Sequence, residues 1–310
     1  MPAHKNGLLS KHRQAVLLAV LVTVLWSSSW LLIKVGLQDI PALTFAGLRY
    51  SLAFLILLPF NFTPEMKNAY RRLTRKDVLF LAVLGVLQYS FTQGAQFIGL
   101  SYLPMTTTSL LLNLSSLVVA VTGIFVLSER LSMLQWGGVL LNLLGVIVFF
   151  YPPVLPGQEW IGIIVVLIGM LANSASALLG RKINRQAHLP ATLVTTVSMG
   201  IGGPLLLIGG WLTQPAPQLN SISWLIIFWL ALVNTALAFS IWNYTLRVLR
   251  AMESTLINST MMIQIALLGW IVFNEDLSGL KIVGMVLALA GLILTQLRRQ
   301  PEPVNQQSDI

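Results

Sequence analysis

The chain has 310 residues, of which 56% are hydrophobic and only 9% are charged, and its formal net charge is +9. Because so few polar side chains cannot cover a water-soluble globule, this composition indicates a protein that lies in a lipid bilayer. The absence of cysteine excludes disulfide bonds, thiolate metal sites and a cysteine nucleophile. The basic residues lie in short loops between apolar stretches, which argues against nucleic acid as a partner.

Ten apolar stretches are long enough to cross the hydrocarbon layer as helices, because about 20 residues at ~1.5 Å each span ~30 Å. We predict an all-α fold, with the polar tail 300–310 disordered. The stretch that follows the basic residues 1–13 exceeds a signal-peptide core in length, so we expect an uncleaved helix there. In chain order the predicted membrane helices are 14–36, 41–60, 78–99, 104–127, 133–151, 160–180, 190–212, 222–244, 252–273 and 279–297.

The charges of the loops predict the orientation of these helices. With the N-terminus in the cytoplasm, sixteen Lys and Arg side chains fall on the cytoplasmic side, whereas only Lys34 and Lys281 fall outside. Cytoplasmic loops of membrane proteins carry such an excess of basic residues. We therefore predict that both termini are cytoplasmic, which also requires an even number of helices.

An internal repeat relates the two halves of the chain, predicted at 14–151 and 160–297. Each half contains five helices, an odd number, so the second half must enter the membrane inverted. Inverted repeats give two related conformations and favour a carrier that works by alternating access. A shift of 146 residues aligns the motif E-x-L-S and two later glycines in both halves: Glu129, Leu131, Ser132, Gly138 and Gly145 with Glu275, Leu277, Ser278, Gly284 and Gly291.

The fifth and tenth predicted helices contain few polar residues. In each of them the two glycines of the repeat are seven residues apart. This spacing is compatible with close helix packing. We expect these two helices to support the bundle, with a homodimer through them as the alternative.

Taken together, these features resemble the EamA-type carriers of the drug/metabolite transporter superfamily. The resemblance rests on the ten helices in inverted halves, the Trp-Ser-Ser-Ser-Trp run at 26–30, Pro41 with Arg49 in the second helix, and the repeated E-x-L-S motif. It implies a central cavity, a place in the bacterial inner membrane, and export of amino acids, related metabolites or toxic compounds. The predicted partners are a small-molecule substrate and the lipid bilayer, with no cofactor and no metal.

Arg49 is the leading candidate for substrate binding, because it lies about eight residues into the second predicted helix, where a charge is costly. Its guanidinium can donate two hydrogen bonds to a substrate carboxylate. The alternative is a structural contact with backbone carbonyls or a neighbouring loop. Ser198 stands near the equivalent position in the other half, so we predict an asymmetric site.

Other candidates are aromatic and polar residues in six helices. Trp26 and Trp30 share one helical face, with Ser27 beside them, and an aromatic wall with a few polar groups suits amphipathic metabolites. Helix packing and interhelical hydrogen bonds are the alternatives for all of these residues. The remaining predicted binding residues are Gln93, Gln96, Asn113, Asn173, Ser176, Trp242, Asn243, Tyr244, Asn258 and Gln264.

Proton coupling has no evident carrier, because every acidic residue lies in a predicted loop or at a helix end. Glu253 is the coupling candidate, and pairing with Arg250 or Arg247 is its alternative role. The sequence lacks clustered acids, metal-spaced pairs and a nucleophile with its base, which argues against an enzyme. A receptor or assembly component is a further alternative, which the short loops disfavour.

Overall fold

The computed structural model describes residues 3–126, 132–152, 157–185, 189–246, 248–249 and 251–296. These residues form helices and turns, with no strand among them. The predicted tail 300–310 and the motif residues Glu129 and Leu131 lie outside this part of the chain. Within it, nine helices are long and apolar enough to cross a membrane, and a shorter apolar helix, Met133–Phe149, is the tenth.

The membrane helices are numbered here in chain order, and several consist of more than one segment. The short helix Pro64–Arg71 between the second and third lies at the surface. In the first half they are α1 (Ala3–Gly36), α2 (Ala42–Leu57), α3 (Arg75–Tyr102), α4 (Met105–Asn113 and Ser115–Val126) and α5 (Met133–Phe149). In the second half they are α6 (Glu159–Arg185), α7 (Ala191–Thr213), α8 (Ser221–Ala231, Leu232–Leu237 and Ala238–Thr245), α9 (Ala251–Phe273) and α10 (Gly279–Gln296). The all-α fold of ten membrane helices in two inverted halves is confirmed.

The distribution of polarity is that of a protein surrounded by lipid. Large apolar side chains on the helices are exposed, among them Leu140, Ile147 and Leu225. Many hydroxyl and amide side chains are buried instead, such as Ser27 and Asn234. Because backbone and side-chain polar groups in hydrocarbon need internal partners, this arrangement fits a bilayer environment.

Helices α5 and α10 pack in opposite directions through the glycines that the repeat predicted. A Cβ atom on Gly145 would lie 2.3 Å from the backbone nitrogen of Ala288, and one on Gly291 would lie 2.3 Å from that of Asn142. The Asn142 Nδ2 donates to the Ala288 carbonyl oxygen at 2.6 Å. These glycine faces are therefore covered within the chain, and a homodimer through α5 and α10 would have to use their other faces.

Asn142 and Ala288 are 146 residues apart, which is the shift of the repeat, so each occupies the other's position when the halves are exchanged. The pseudo-two-fold axis of the inverted repeat therefore passes between them. The contacts of the other helices are also related by exchange of the two halves. Helix α1 packs against α8 and α9, whereas α6 packs against α3 and α4, and α2 packs against α7.

Helices α2 and α4 both begin after a proline, Pro41 and Pro104, that provides no side-chain cap. The free N–H groups of their first turns are satisfied from distant parts of the chain instead. In α2, the Gln214 Oε1 accepts from the backbone nitrogens of Leu43 and Thr44 at 2.9 and 3.1 Å. This contact joins the end of α7 to the start of α2.

Glu275 provides the equivalent cap for α4. Its carboxylate accepts from the backbone nitrogens of Met105 and Thr106 at 2.5 and 3.1 Å, and from the Thr106 hydroxyl at 2.8 Å. Asn274 precedes it with a φ of 51°, a left-handed conformation that asparagine tolerates. Gly269 leaves room for the carboxylate, since a Cβ there would lie 2.6 Å from Glu275 Oε2. The second copy of the E-x-L-S motif thus connects the loop between α9 and α10 to α4 of the first half.

Candidate functional site

A cavity of about 330 Å³ lies between seven helices, and α5, α7 and α10 contribute no residue to it. Eight of the predicted binding residues line it: Trp26, Trp30, Arg49, Gln93, Gln96, Asn113, Asn173 and Asn258. Further lining residues are Ser29, Tyr50, Thr92, Ser109, Leu112, Ser115, Ser116, Phe239, Met261 and Ile265. The lining combines aromatic, amide and hydroxyl groups with one guanidinium. Binding of a substrate by these residues stays a prediction.

Trp26 forms the aromatic wall of the cavity together with Trp30 and Phe239. The centroid of the Trp26 ring lies 5.4 Å from that of Phe239 and 5.2 Å from that of Trp242, with tilted planes. Such tilted contacts are favourable because the edge of one ring meets the face of another. Trp242 is absent from the lining and supports Trp26 from behind.

Arg49 is held in one orientation by Thr235 and Tyr50, and Tyr50 is itself held by Gln93. Its side chain is only 4% exposed, and its Nε donates to the Thr235 hydroxyl at 3.1 Å. The guanidinium carbon lies 5.1 Å from the centroid of the Tyr50 ring, and the Tyr50 hydroxyl donates to Gln93 Oε1 at 2.6 Å. Arg49 is therefore fixed by a side-chain hydroxyl from the other half of the chain. The structural alternative predicted from the sequence was a backbone carbonyl or a neighbouring loop.

Two of the predicted amides border a break in α4 at Leu114, where its two segments meet. The Asn113 Nδ2 donates to the Ser109 carbonyl oxygen at 2.8 Å, and the Asn173 Nδ2 donates to Ser115 Oγ at 3.0 Å. The second bond joins α6 to α4. Asn173 thus makes the interhelical hydrogen bond that was its alternative role, and it also lines the cavity.

Several predicted residues lie away from the cavity. Ser27 donates to Gln264 Oε1 at 2.8 Å, joining α1 to α9. Ser176 donates to Gln88 Oε1 at 2.6 Å, joining α6 to α3. The Tyr244 side chain is 43% exposed, and the side chain of Asn243 lies outside the described residues.

The coupling candidate Glu253 also lies away from the cavity. Its Oε1 is 3.5 Å from the His12 Nε2, and both side chains are partly exposed. The described partner is thus a histidine on α1, whereas Arg247 and Arg250 lie outside the described residues.

Helices α3 and α8 each contain a π-helical segment that sequence analysis did not find. The segments are Val86–Gln93 and Leu232–Leu237, and their first residues are 146 apart. The wider turn leaves carbonyl groups to be satisfied, and a threonine hydroxyl does so in both cases. Thr92 donates to Leu87 O and Thr235 to Leu230 O, each at 2.8 Å and across five residues. π-Helical turns occur frequently at functional sites, and both threonines border the cavity or its arginine.

Each π-helical segment is hydrogen-bonded to the opposite half of the chain. In α3, Gln88 accepts from Ser176 of α6. In α8, the Asn234 Nδ2 donates to the Leu25 carbonyl oxygen and, at 3.3 Å, to Ser28 Oγ of α1. Exchange of the two halves converts one connection into the other. Six of the seven lining helices are therefore paired by the repeat, and the exception is α2, whose counterpart α7 contributes no residue to the cavity.

Comparison with known proteins agrees with this architecture. The model of the EamA-like transporter family matches residues 13–151 and 160–297. A protein of Salmonella typhimurium and one of Escherichia coli, both named "Probable amino-acid metabolite efflux pump", are 28% and 27% identical to this chain. These alignments cover 89% and 91% of this chain, and 93% and 94% of the two relatives.

A protein of Bacillus subtilis named "Uncharacterized transporter YoaV" is 23% identical over 88% of this chain and 93% of its own. A crystal structure with 18% sequence identity matches with a TM-score of 0.64 and covers 92% of this chain and 98% of that protein, which shows a shared fold. The protein is a multi-pass membrane transporter, and it belongs to the EamA-like transporter family.

Proposed function

We propose that the protein exports amino acids or related small metabolites across the bacterial inner membrane by alternating access. The observation that carries this proposal is a cavity of about 330 Å³ that is lined by both halves of an inverted repeat. Its volume lies within the range of small-molecule sites, and its mixture of aromatic and amide groups suits amphipathic metabolites. The names of the relatives in Salmonella typhimurium and Escherichia coli support amino-acid metabolites as the substrate class.

The contacts at one end of the bundle support a two-state cycle. The Lys34 ammonium donates to the carbonyl oxygens of Leu100 and Leu103, both at 2.7 Å, and joins α1 to the end of α3. Glu275 joins the link between α9 and α10 to α4 nearby. In the predicted orientation this end faces outward, so these bonds close the outer side and have to separate before a substrate leaves.

The assay for the proposal is counterflow in proteoliposomes that are preloaded with pooled amino acids and other small metabolites, with and without a pH gradient. Exchange that depends on the substrate supports the carrier, and acceleration by the gradient supports proton coupling, for which Glu253 is the candidate. The aromatic wall of Trp26, Trp30 and Phe239 favours a second candidate function, efflux of toxic aromatic compounds. Exchange of such compounds, but not of amino acids, would favour that function.

Substitution of Trp26 by alanine should reduce the counterflow rate roughly twofold to twelvefold, the effect of losing a ring contact of about 0.5–1.5 kcal/mol. The expected cause is loss of the wall that Trp26 builds with Phe239. Trp270→Ala is the control, because this tryptophan is 53% exposed and does not line the cavity. Equal rates for the two variants in proteoliposomes would remove Trp26 from the substrate path.

The proposed orientation is tested with single cysteines in this cysteine-free chain. Gln38 and Asn68 are both exposed and lie on opposite sides of the predicted membrane. With both termini in the cytoplasm, Gln38→Cys should react with an impermeant maleimide added to intact cells, and Asn68→Cys should react only after lysis. The opposite labelling pattern would place the termini outside.

A further inference from the structure

The cavity contains a positive charge that no protein carboxylate neutralises within the part of the chain that the structure describes. Arg49 lines the cavity. The ion pairs found among the described residues involve Glu253 with His12 and Asp276 with Lys281, and neither carboxylate lines the cavity. None of the eighteen lining residues is acidic. A buried charge in a membrane protein is costly and normally pairs with another group, so this cavity is electrostatically incomplete without an anion.

The guanidinium also has donors to spare. Of its five N–H groups, the one on Nε is used by Thr235, and the Tyr50 ring lies beside the guanidinium carbon. The two terminal nitrogens make no hydrogen bond to the described protein atoms, although the side chain is 4% exposed. An arginine that is fixed through Nε and free at its terminal nitrogens can bind the two oxygens of a carboxylate.

We propose that Arg49 binds the carboxylate of the substrate, and that the protein therefore transports carboxylates and zwitterions but excludes cations that lack a carboxylate. This inference rests on the proposed transport function and specifies its substrate class. A bound carboxylate neutralises Arg49, whereas a substrate with a net positive charge adds a second cation to a cavity without an acid. The amine of a zwitterion is met by neutral oxygens, for which Gln96, Ser109 and Asn113 line the cavity.

The test compares compounds that differ only in their charged groups. Leucine, phenylalanine and threonine are each compared with their amides, which lack the carboxylate, and with their N-acetyl derivatives, which lack the amine. We expect counterflow of the acids and of the N-acetyl derivatives to exceed that of the amides by at least roughly tenfold, as for sites that lose a required hydrogen-bond partner. The same ranking is expected for stabilisation of the detergent-solubilised protein against thermal unfolding.

Variants of the site connect this ranking to Arg49. Arg49→Gln should abolish the preference for acids over amides, and Arg49→Lys should retain part of it, because an ammonium keeps the charge but loses the planar pair of donors. Thr235→Val removes the acceptor of Nε and the donor to the Leu230 carbonyl oxygen, but it leaves the terminal nitrogens of Arg49 in place. It should therefore weaken exchange of acids while the discrimination against amides persists. The comparison of compounds on the unaltered protein needs no variant and holds even if Arg49→Gln does not fold.

The outcomes separate this inference from the proposed function. Equal exchange of acids and amides would overturn the role of Arg49 and leave the export function standing. Stabilisation by acids over amides without any exchange would support the role of Arg49 and contradict export of these compounds. Neither exchange nor stabilisation by any compound of the panel would overturn both.

Discussion

Gly145→Ala should lower the free energy of unfolding by about 1–3 kcal/mol, the usual cost of forcing a methyl group into a packed interior. The added Cβ would lie 2.3 Å from the backbone nitrogen of Ala288 and 2.6 Å from the Gly284 carbonyl oxygen. Because both of these neighbours are backbone atoms, no side chain can rotate away, and α10 has to move. The hydrogen bond from Asn142 to the Ala288 carbonyl oxygen would lengthen as it does so.

Two further variants make this prediction specific. Gly137→Ala on the same helix meets no atom within 4 Å, so it should be neutral or slightly stabilising. Gly291→Ala occupies the symmetry-related position, with Asn142 N at 2.3 Å from the added atom, and should cost as much as Gly145→Ala. The measurement is the midpoint of thermal unfolding in detergent, followed by size-exclusion chromatography. Similar midpoints for Gly145→Ala and Gly137→Ala would contradict the close packing of α5 on α10.

Glu275→Ala should lower the free energy of unfolding by at least about 2 kcal/mol and should also impair transport. The variant leaves the backbone nitrogens of Met105 and Thr106 and the Thr106 hydroxyl without their acceptor. Hydrogen bonds to a charged group contribute ~1.5–3 kcal/mol each, and a carboxylate is further stabilised by the positive end of a helix. Glu275→Gln keeps one carbonyl oxygen as an acceptor, so its effect should be intermediate.

The neighbouring carboxylate provides a matched control. Asp276 forms an ion pair with Lys281 at 3.0 Å, and its side chain is 72% exposed. Exposed pairs of this kind contribute ~0–1 kcal/mol, so Asp276→Asn should leave the midpoint of unfolding and the counterflow rate nearly unchanged. If Glu275→Ala behaved like Asp276→Asn in both measurements, the contact with α4 would have no part in closing that end of the bundle.

The membrane helices of this fold could be predicted from the sequence for two reasons. A helix needs a long apolar stretch to cross the bilayer, and backbone N–H and C=O groups in lipid must be hydrogen-bonded within the protein. Close packing at Gly138, Gly145, Gly284 and Gly291 was predicted from their spacing, but that α5 and α10 pack on each other was not. The hydrogen-bond partners of Glu275 could not be predicted. The E-x-L-S motif indicates a repeat, but it does not indicate a contact with the backbone of Met105, which lies 170 residues away in the sequence. The π-helical segments were also missed, because an inserted residue leaves the apolar stretch unchanged.

The candidate site was predicted less completely, for a reason that lies in the helices themselves. Polar residues occur on several faces of α1, so the sequence does not say which face meets the cavity. The structure directs Trp26 and Trp30 to the cavity and Ser27 to Gln264 of α9. Lining residues such as Phe239 and Met261 carry no polar signal at all, and Tyr50 was overlooked beside its charged neighbour Arg49.

Helix α5 has a consequence for the surrounding lipid that follows from its length. It begins where Ser132 and Gln135 cap each other and has 17 residues, whereas the apolar part of α6, Glu159–Gly180, has 22. At ~1.5 Å per residue these stretches are about 26 and 33 Å long, against ~30 Å of hydrocarbon. Exposed Trp136 and Tyr151 lie near the two ends of α5, where aromatic side chains favour the headgroup level. The protein is thus thinner along α5 than along α6, so the bilayer has to thin locally at α5, and shorter acyl chains reduce that deformation.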